Sequence, residues 1–98
     1  VARVALTRRA LDDLERLFAF IAREDPAAAA LQVDSVRRAL GLLAEHPLLG
    51  RPAERGRREL VLSRGRYGYV AKYRWFAADD AVLVLTVRHQ REAGYADE

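Results

Sequence analysis

The sequence predicts an α+β domain of two layers in the order β-α-α-β-β-β. An N-terminal strand and an antiparallel helical hairpin pack on a mainly antiparallel four-stranded sheet. Three observations predict this. Apolar residues recur at spacings of three and four through the first half. An Asp25-Pro26 step divides that helical stretch in two. After Arg58 the period changes to two, as expected of strands.

The elements follow in order. Arg3–Leu6 alternates apolar and polar residues and reads as the first strand. Thr7 stands where a helix N-cap belongs. Leu11, Leu14, Phe18 and Ile21, with Leu17 beside them, form the apolar face of the first helix. Asp25 ends it and caps the second, with Pro26 at the favoured first helical position. Ala29, Val33, Val36, Leu40 and Leu43 line the second helix, which must stop near His46 because Pro47 disfavours helical geometry before it. So short a link implies an antiparallel hairpin. Leu48-Leu49-Gly50-Arg51-Pro52 reads as a connector and Ala53–Gly56 as a loop. Glu59–Leu62 is a strand, and Arg64-Gly65-Arg66 is a turn. Tyr67–Phe76 is a strand with Tyr67, Tyr69, Ala71, Tyr73 and Trp75 on one face. Val82–Val87 is a continuous apolar run, expected to be a central strand buried on both sides.

Composition narrows the function classes. At 98 residues the chain is expected to form one domain, residues 1–98. Without cysteine, a disulfide framework, a thiolate metal site and a cysteine nucleophile are excluded. The absence of cysteine fits a reducing cytoplasm, where the protein is expected, and no uninterrupted apolar run is long enough to span a bilayer. No glycine-rich phosphate loop, paired histidine spacing or Gly-x-Ser-x-Gly elbow is present, so no cofactor or metal is expected.

Charge is placed unevenly. Residues 1–49 balance seven Arg with seven Asp and Glu, and all of the net +3 lies beyond them. Arg51, Arg55, Arg57, Arg58, Arg64, Arg66, Lys72 and Arg74 outnumber Glu54 and Glu59 in one short stretch. Arg58, Arg64, Lys72 and Arg74 are the candidate contacts to a phosphate backbone or an acidic surface. A solvated face is the other reading of the same strands. His89, Arg91 and Tyr95 follow the central strand and combine groups for acid–base work on a phosphodiester. Composition alone favours the other reading, a solvated strand end with Tyr95 packed back on the core. The tyrosines at period two mark a buried sheet face before they mark base stacking. His46 reads as a helix-end residue.

The ordered series of motifs resembles the RelE/ParE superfamily of toxins from type II toxin–antitoxin, or plasmid-stabilisation, systems. The residues that carry it are Val4-x-Leu6-Thr7, Ala10-x-x-Asp13-Leu14, Phe20-Ile21 and Asp25-Pro26-x-Ala28-Ala29. Leu40-x-x-Leu43-x-x-x-Pro47-x-x-Gly50-Arg51-Pro52 and Arg58-Glu59-Leu60 continue it. Tyr67-Gly68-Tyr69-Val70-x-x-Tyr73-Arg74, His89-Gln90-Arg91 and Tyr95 complete it. The Gly50-Arg51-Pro52 turn, Arg58-Glu59-Leu60 and the long hairpin look more like the ParE side.

That resemblance implies a toxin neutralised by a cognate antitoxin, joined to it in a hetero-oligomer. On the ParE side it implies an inhibitor of DNA gyrase with no chemistry of its own. On the RelE side it implies a ribosome-dependent endoribonuclease acting on mRNA. In that case His89, Arg91 and Tyr95 would be catalytic, with Arg58, Arg74 and Arg91 clamping phosphate. The antitoxin is expected to lie along the hairpin at Leu14, Phe18 and Ile21.

Overall fold

The structure, a computed structural model, describes residues 1–89. Strand β1 (Arg3–Leu6) leads into helix α1 (Arg8–Glu24) and helix α2 (Pro26–Glu45). Strands β2 (Arg51–Pro52), β3 (Arg58–Ser63), β4 (Tyr69–Phe76) and β5 (Ala81–His89) follow.

The helix boundaries sit where the side chains place them. Thr7 is extended, and its hydroxyl oxygen accepts from the Ala10 N–H at 3.0 Å. Asp25 alone separates the helices, and its carboxylate accepts from the Ala28 N–H at 3.1 Å. Caps of this kind stabilise a helix by about 1 kcal/mol each. Helix α2 ends at Glu45, capped by His46 just before Pro47, and returns toward the chain start, where the Ala2 N–H donates to the Ala44 carbonyl at 2.8 Å.

The sheet runs β1-β5-β4-β3-β2. Among the described residues it has five strands where the sequence predicts four, and it is mixed, because β1 pairs parallel with β5. The fifth strand is Arg51–Pro52, expected to be connector. Its residues pair antiparallel with Glu59 and Arg58. A two-residue edge that includes a proline carries no local strand signal, and long-range pairing alone creates it.

Both helices cover one face of the sheet. Leu14, Leu17 and Ile21 of α1 and Val36, Ala39 and Leu43 of α2 meet Leu62, Tyr69, Ala71, Tyr73, Val82, Val84 and Val87. The alternation predicted for β4 holds: Tyr69, Ala71 and Tyr73 are fully buried, and Val70, Lys72 and Arg74 take the other face. β5 corrects its expectation. It is an interior strand, but Leu83, Leu85 and Thr86 are only half-buried, because among the described residues no layer covers the second face. Among the described residues, no helix is long and apolar enough to cross a membrane.

One irregularity in β5 decides what the open face presents. Lys72 pairs with Thr86, but the next residue, Tyr73, pairs with Val84, so Leu85 is an extra residue in β5. Such a bulge flips the facing of everything after it. Val82 and Val84 face the helices, and so does Val87 rather than Thr86.

Candidate functional site

The open sheet face carries a shallow cleft of about 240 Å³ lined by Arg9, Arg55, Arg57, Lys72, Leu85, Thr86 and Arg88. Five of these seven residues are cations. They arrive from four places in the chain. Arg9 comes from the first turn of α1, which begins where β1 stops short beside β5. Arg55 and Arg57 come from the turn before β3, Lys72 from β4, and Arg88 from β5 beyond the bulge.

The turn at Glu54–Gly56 leans over this face. Arg55 and Gly56 both have positive φ, 58° and 73°, a left-handed kink that costs a non-glycine residue energy. Two cations hold it. The Lys72 ammonium donates to Glu54 Oε2 at 2.7 Å, and Arg74 Nη2 donates to the Arg55 carbonyl at 2.8 Å. Lys72 also lies 3.9 Å from Glu59 Oε2, and Arg51 pairs with Glu59 Oε1 at 3.0 Å. The hydrogen bond from Lys72 is the largest cause holding the Glu54 carboxyl below its ordinary value. Arg57 lies 3.8 Å from Glu54, and its Nε–H is buried with no acceptor among the described residues. The arrangement suits an anion with several oxygens, since each guanidinium offers a planar fork of donors.

The predicted contact residues separate. Lys72 and Arg74 lie on the open face as expected, Lys72 in the cleft lining and Arg74 beneath the turn. Arg64 is exposed in the turn between β3 and β4, outside that lining. Arg58 is corrected. It pairs with Tyr73 on the helix side, and its Nη1 donates to the Gly50 carbonyl at 2.7 Å and the Leu48 carbonyl at 3.4 Å. Its guanidinium fastens the connector. The signal was present in the sequence: Arg58 shares parity with Leu60 and Leu62, which pack on the core.

His89 is corrected too. It pairs with buried Tyr69 and so stands on the helix side of the sheet. There it lines a second hollow of about 380 Å³ with Phe20, Glu24, Arg66 and Tyr67. The Tyr67 hydroxyl donates to Glu24 at 3.2 Å, and the Arg66 guanidinium lies 5.6 Å from the Tyr67 ring centroid. Burial, then the bond to Glu24, raises the Tyr67 pKa. The expected grouping of His89 with Arg58 and Arg74 does not form: His89 and Arg58 lie on the helix side and Arg74 on the open face. Arg91 and Tyr95 lie outside the described residues.

The expected antitoxin contacts are divided in the same way. Leu14 and Ile21 are 8% and 1% exposed and face the sheet, so they hold the core rather than offer a surface. Phe18 is only partly buried. The exposed large apolar side chains of the hairpin are Leu11, Phe20, Leu31 and Leu42. Among the described residues, no group of His, Asp or Glu is placed to hold a metal ion.

Known proteins share this architecture. Residues 4–94 match the family described as the ParE toxin of the type II toxin–antitoxin system parDE. Toxin RelE3 of Caulobacter vibrioides is 37% identical over 89 residues, covering 91% of this chain and 95% of its own. The toxin–antitoxin complex RelBE2 of Mycobacterium tuberculosis contains a chain with TM-score 0.61 and 28% identity, with 91% of each chain covered. A chain of the chromosomal ParDE system of P. aeruginosa has TM-score 0.72 at 22% identity, covering 90% of this chain and 95% of that one. That last likeness is one of fold.

Proposed function

The chain belongs to the ParE toxin family of type II toxin–antitoxin systems, and on that premise we propose that it inhibits DNA gyrase by binding, with no chemistry of its own. One observation carries this reading: His89 stands on the sheet face opposite the cationic cleft. General acid–base catalysis needs a group that exchanges a proton near neutrality, within hydrogen-bond reach of the reacting atom. The described lining of the cleft is Arg, Lys, Thr and Leu. Guanidinium groups do not give up a proton at working pH. The carboxylates beside Lys72, Glu54 and Glu59, are engaged by it. Such a surface grips anionic groups, and the acidic or DNA-contacting surfaces of a gyrase complex would supply them.

The RelE-like reading, ribosome-dependent cleavage of mRNA, draws support from the name of the relative Toxin RelE3. It would rely on His89 with Arg91 and Tyr95. Two assays separate the readings. Purified toxin is expected to inhibit supercoiling by DNA gyrase at micromolar concentration and to leave ribosome-bound message intact. Cleaved message with uninhibited gyrase would overturn the gyrase reading.

A cognate antitoxin is the second partner, and the place of action is the cytoplasm. It would cover the apolar side chains that the hairpin leaves exposed, chiefly Phe20, Leu31 and Leu42, together with the open side of Phe18. Leu31 and Leu42 are eleven residues apart, three helical turns, and so share one face of α2.

A further inference from the structure

We propose that Thr7 and Asp13 are positioning residues: they clamp the bulge at Leu85 and so decide that Arg88, rather than His89, enters the basic cleft. The proposal rests on the cleft as contact surface only for its functional consequence. The facing itself is a separate, readable property.

Val82 and Val84 face the helices. A regular strand would then send Thr86 and Arg88 to the helices, and Val87 and His89 to the open face. The extra residue reverses this. Val87 is 1% exposed among the core residues, Arg88 lines the cleft, and His89 lines the hollow beside Phe20 and Tyr67.

The bulge lies where β5 loses a neighbour. β1 pairs with β5 only as far as Leu6 opposite Val84. Beyond that point the start of α1 replaces the missing strand. The Thr7 N–H donates to the Val84 carbonyl at 3.0 Å, and the Thr7 hydroxyl donates to the next carbonyl, Leu85, at 2.8 Å. Two successive carbonyls turned to one side define the bulge. The same hydroxyl accepts from the Ala10 N–H, so both its capacities are used. Two residues past the bulge, the buried Val87 N–H donates to Asp13 Oδ2 at 2.9 Å. Asp13 is 5% exposed, and its other oxygen accepts from Arg16 at 2.9 Å. Few groups other than a carboxylate supply a charged acceptor to a strand amide there while satisfying a second donor.

The test uses isotope-labelled toxin and NMR. In the wild type, His89 ring protons are expected to show contacts to the Tyr67 ring, and inorganic phosphate should shift the Arg88 side-chain signal. Asp13→Asn, which keeps an acceptor oxygen, should preserve both. Asp13→Leu should lose the His89–Tyr67 contacts, and phosphate affinity at Arg88 should fall roughly tenfold, the loss of one charge-assisted contact. Retention of both by folded Asp13→Leu would overturn the proposal. If Asp13→Leu does not fold, Thr7→Val and Thr7→Ser decide it by the same two signals: valine should lose them and serine keep them, and valine keeping them overturns the clamp. A wild type with the His89–Tyr67 contacts but no phosphate response would refute the cleft reading and leave the clamp standing.

Discussion

The Tyr73 hydroxyl accepts from the Gly50 N–H at 2.9 Å and donates to the Pro47 carbonyl at 2.7 Å. One fully buried phenol thus fastens the whole connector between α2 and β2. A Cβ on Gly50 would lie 2.6 Å from the Glu59 carbonyl and 2.7 Å from Tyr73 Cε1. The glycine is there for close approach. Gly50→Ala should destabilise by about 1–3 kcal/mol or more through overpacking. Tyr73→Phe should cost about 1–3 kcal/mol, because the Gly50 N–H is left buried without an acceptor. Urea unfolding measures both, and unchanged midpoints would contradict this account of the connector.

Removing the internal carboxylate should strengthen the cleft. Glu54→Gln releases Lys72 from its 2.7 Å partner and raises the net charge of the face by one. Affinity for a short polyanion such as a heparin fragment should rise severalfold at low salt, and the gain should shrink as salt screens it. Titration calorimetry at two ionic strengths reads this. The pH dependence has a definite sign. The folded pKa of Glu54 is lowered from 4.5, so the stability from its contact with Lys72 is present above that value. It is lost as pH falls through the lower, folded value.

Tyr69 sets an alkaline limit. Burial pushes its pKa up to about 12, and its hydroxyl lies 3.1 Å from the Gln32 side chain. The unfolded chain ionises near 10. The stability this tyrosine contributes is therefore complete below pH 10 and is lost as pH rises from 10 through 12. Tyr69→Phe should flatten that part of the stability curve, as followed by denaturant midpoints against pH.

Core and surface positions on the hairpin should separate cleanly. Ile21→Ala should cost about 2–5 kcal/mol. Leu31→Ala and Leu42→Ala should change stability by no more than about 0.5 kcal/mol and still weaken the antitoxin complex. Thermal unfolding and antitoxin titration give the two readouts. A Leu31→Ala, Leu42→Ala double variant with unaltered antitoxin affinity would move the docking surface elsewhere.

The outcome for the sequence reading follows from where the information is stored. Thr7, the Asp25-Pro26 step and Pro47 act on their own neighbours, so the helices were legible. Tyr69, Ala71 and Tyr73 alternate against polar partners, so the inner face of β4 was legible. β2 was not, because Arg51 and Pro52 become a strand only by pairing with Glu59 and Arg58. The bulge was not, because an unbroken run from Val82 to Leu85 has no period to shift. That one hidden residue exchanged His89 for Arg88 at the candidate site. Arg9 was missed because its place in the cleft depends on how early β1 ends beside β5.

On the proposed reading, the toxin works through its basic open face by binding alone. Gyrase supercoiling assayed with wild type, Arg57→Ala with Arg88→Ala, and His89→Ala tests it most directly. Inhibition should fall at least tenfold in the double cleft variant, as expected for the loss of two charge-assisted contacts, and should persist in His89→Ala. Full inhibition by the double variant, or its abolition by His89→Ala alone, would contradict the account.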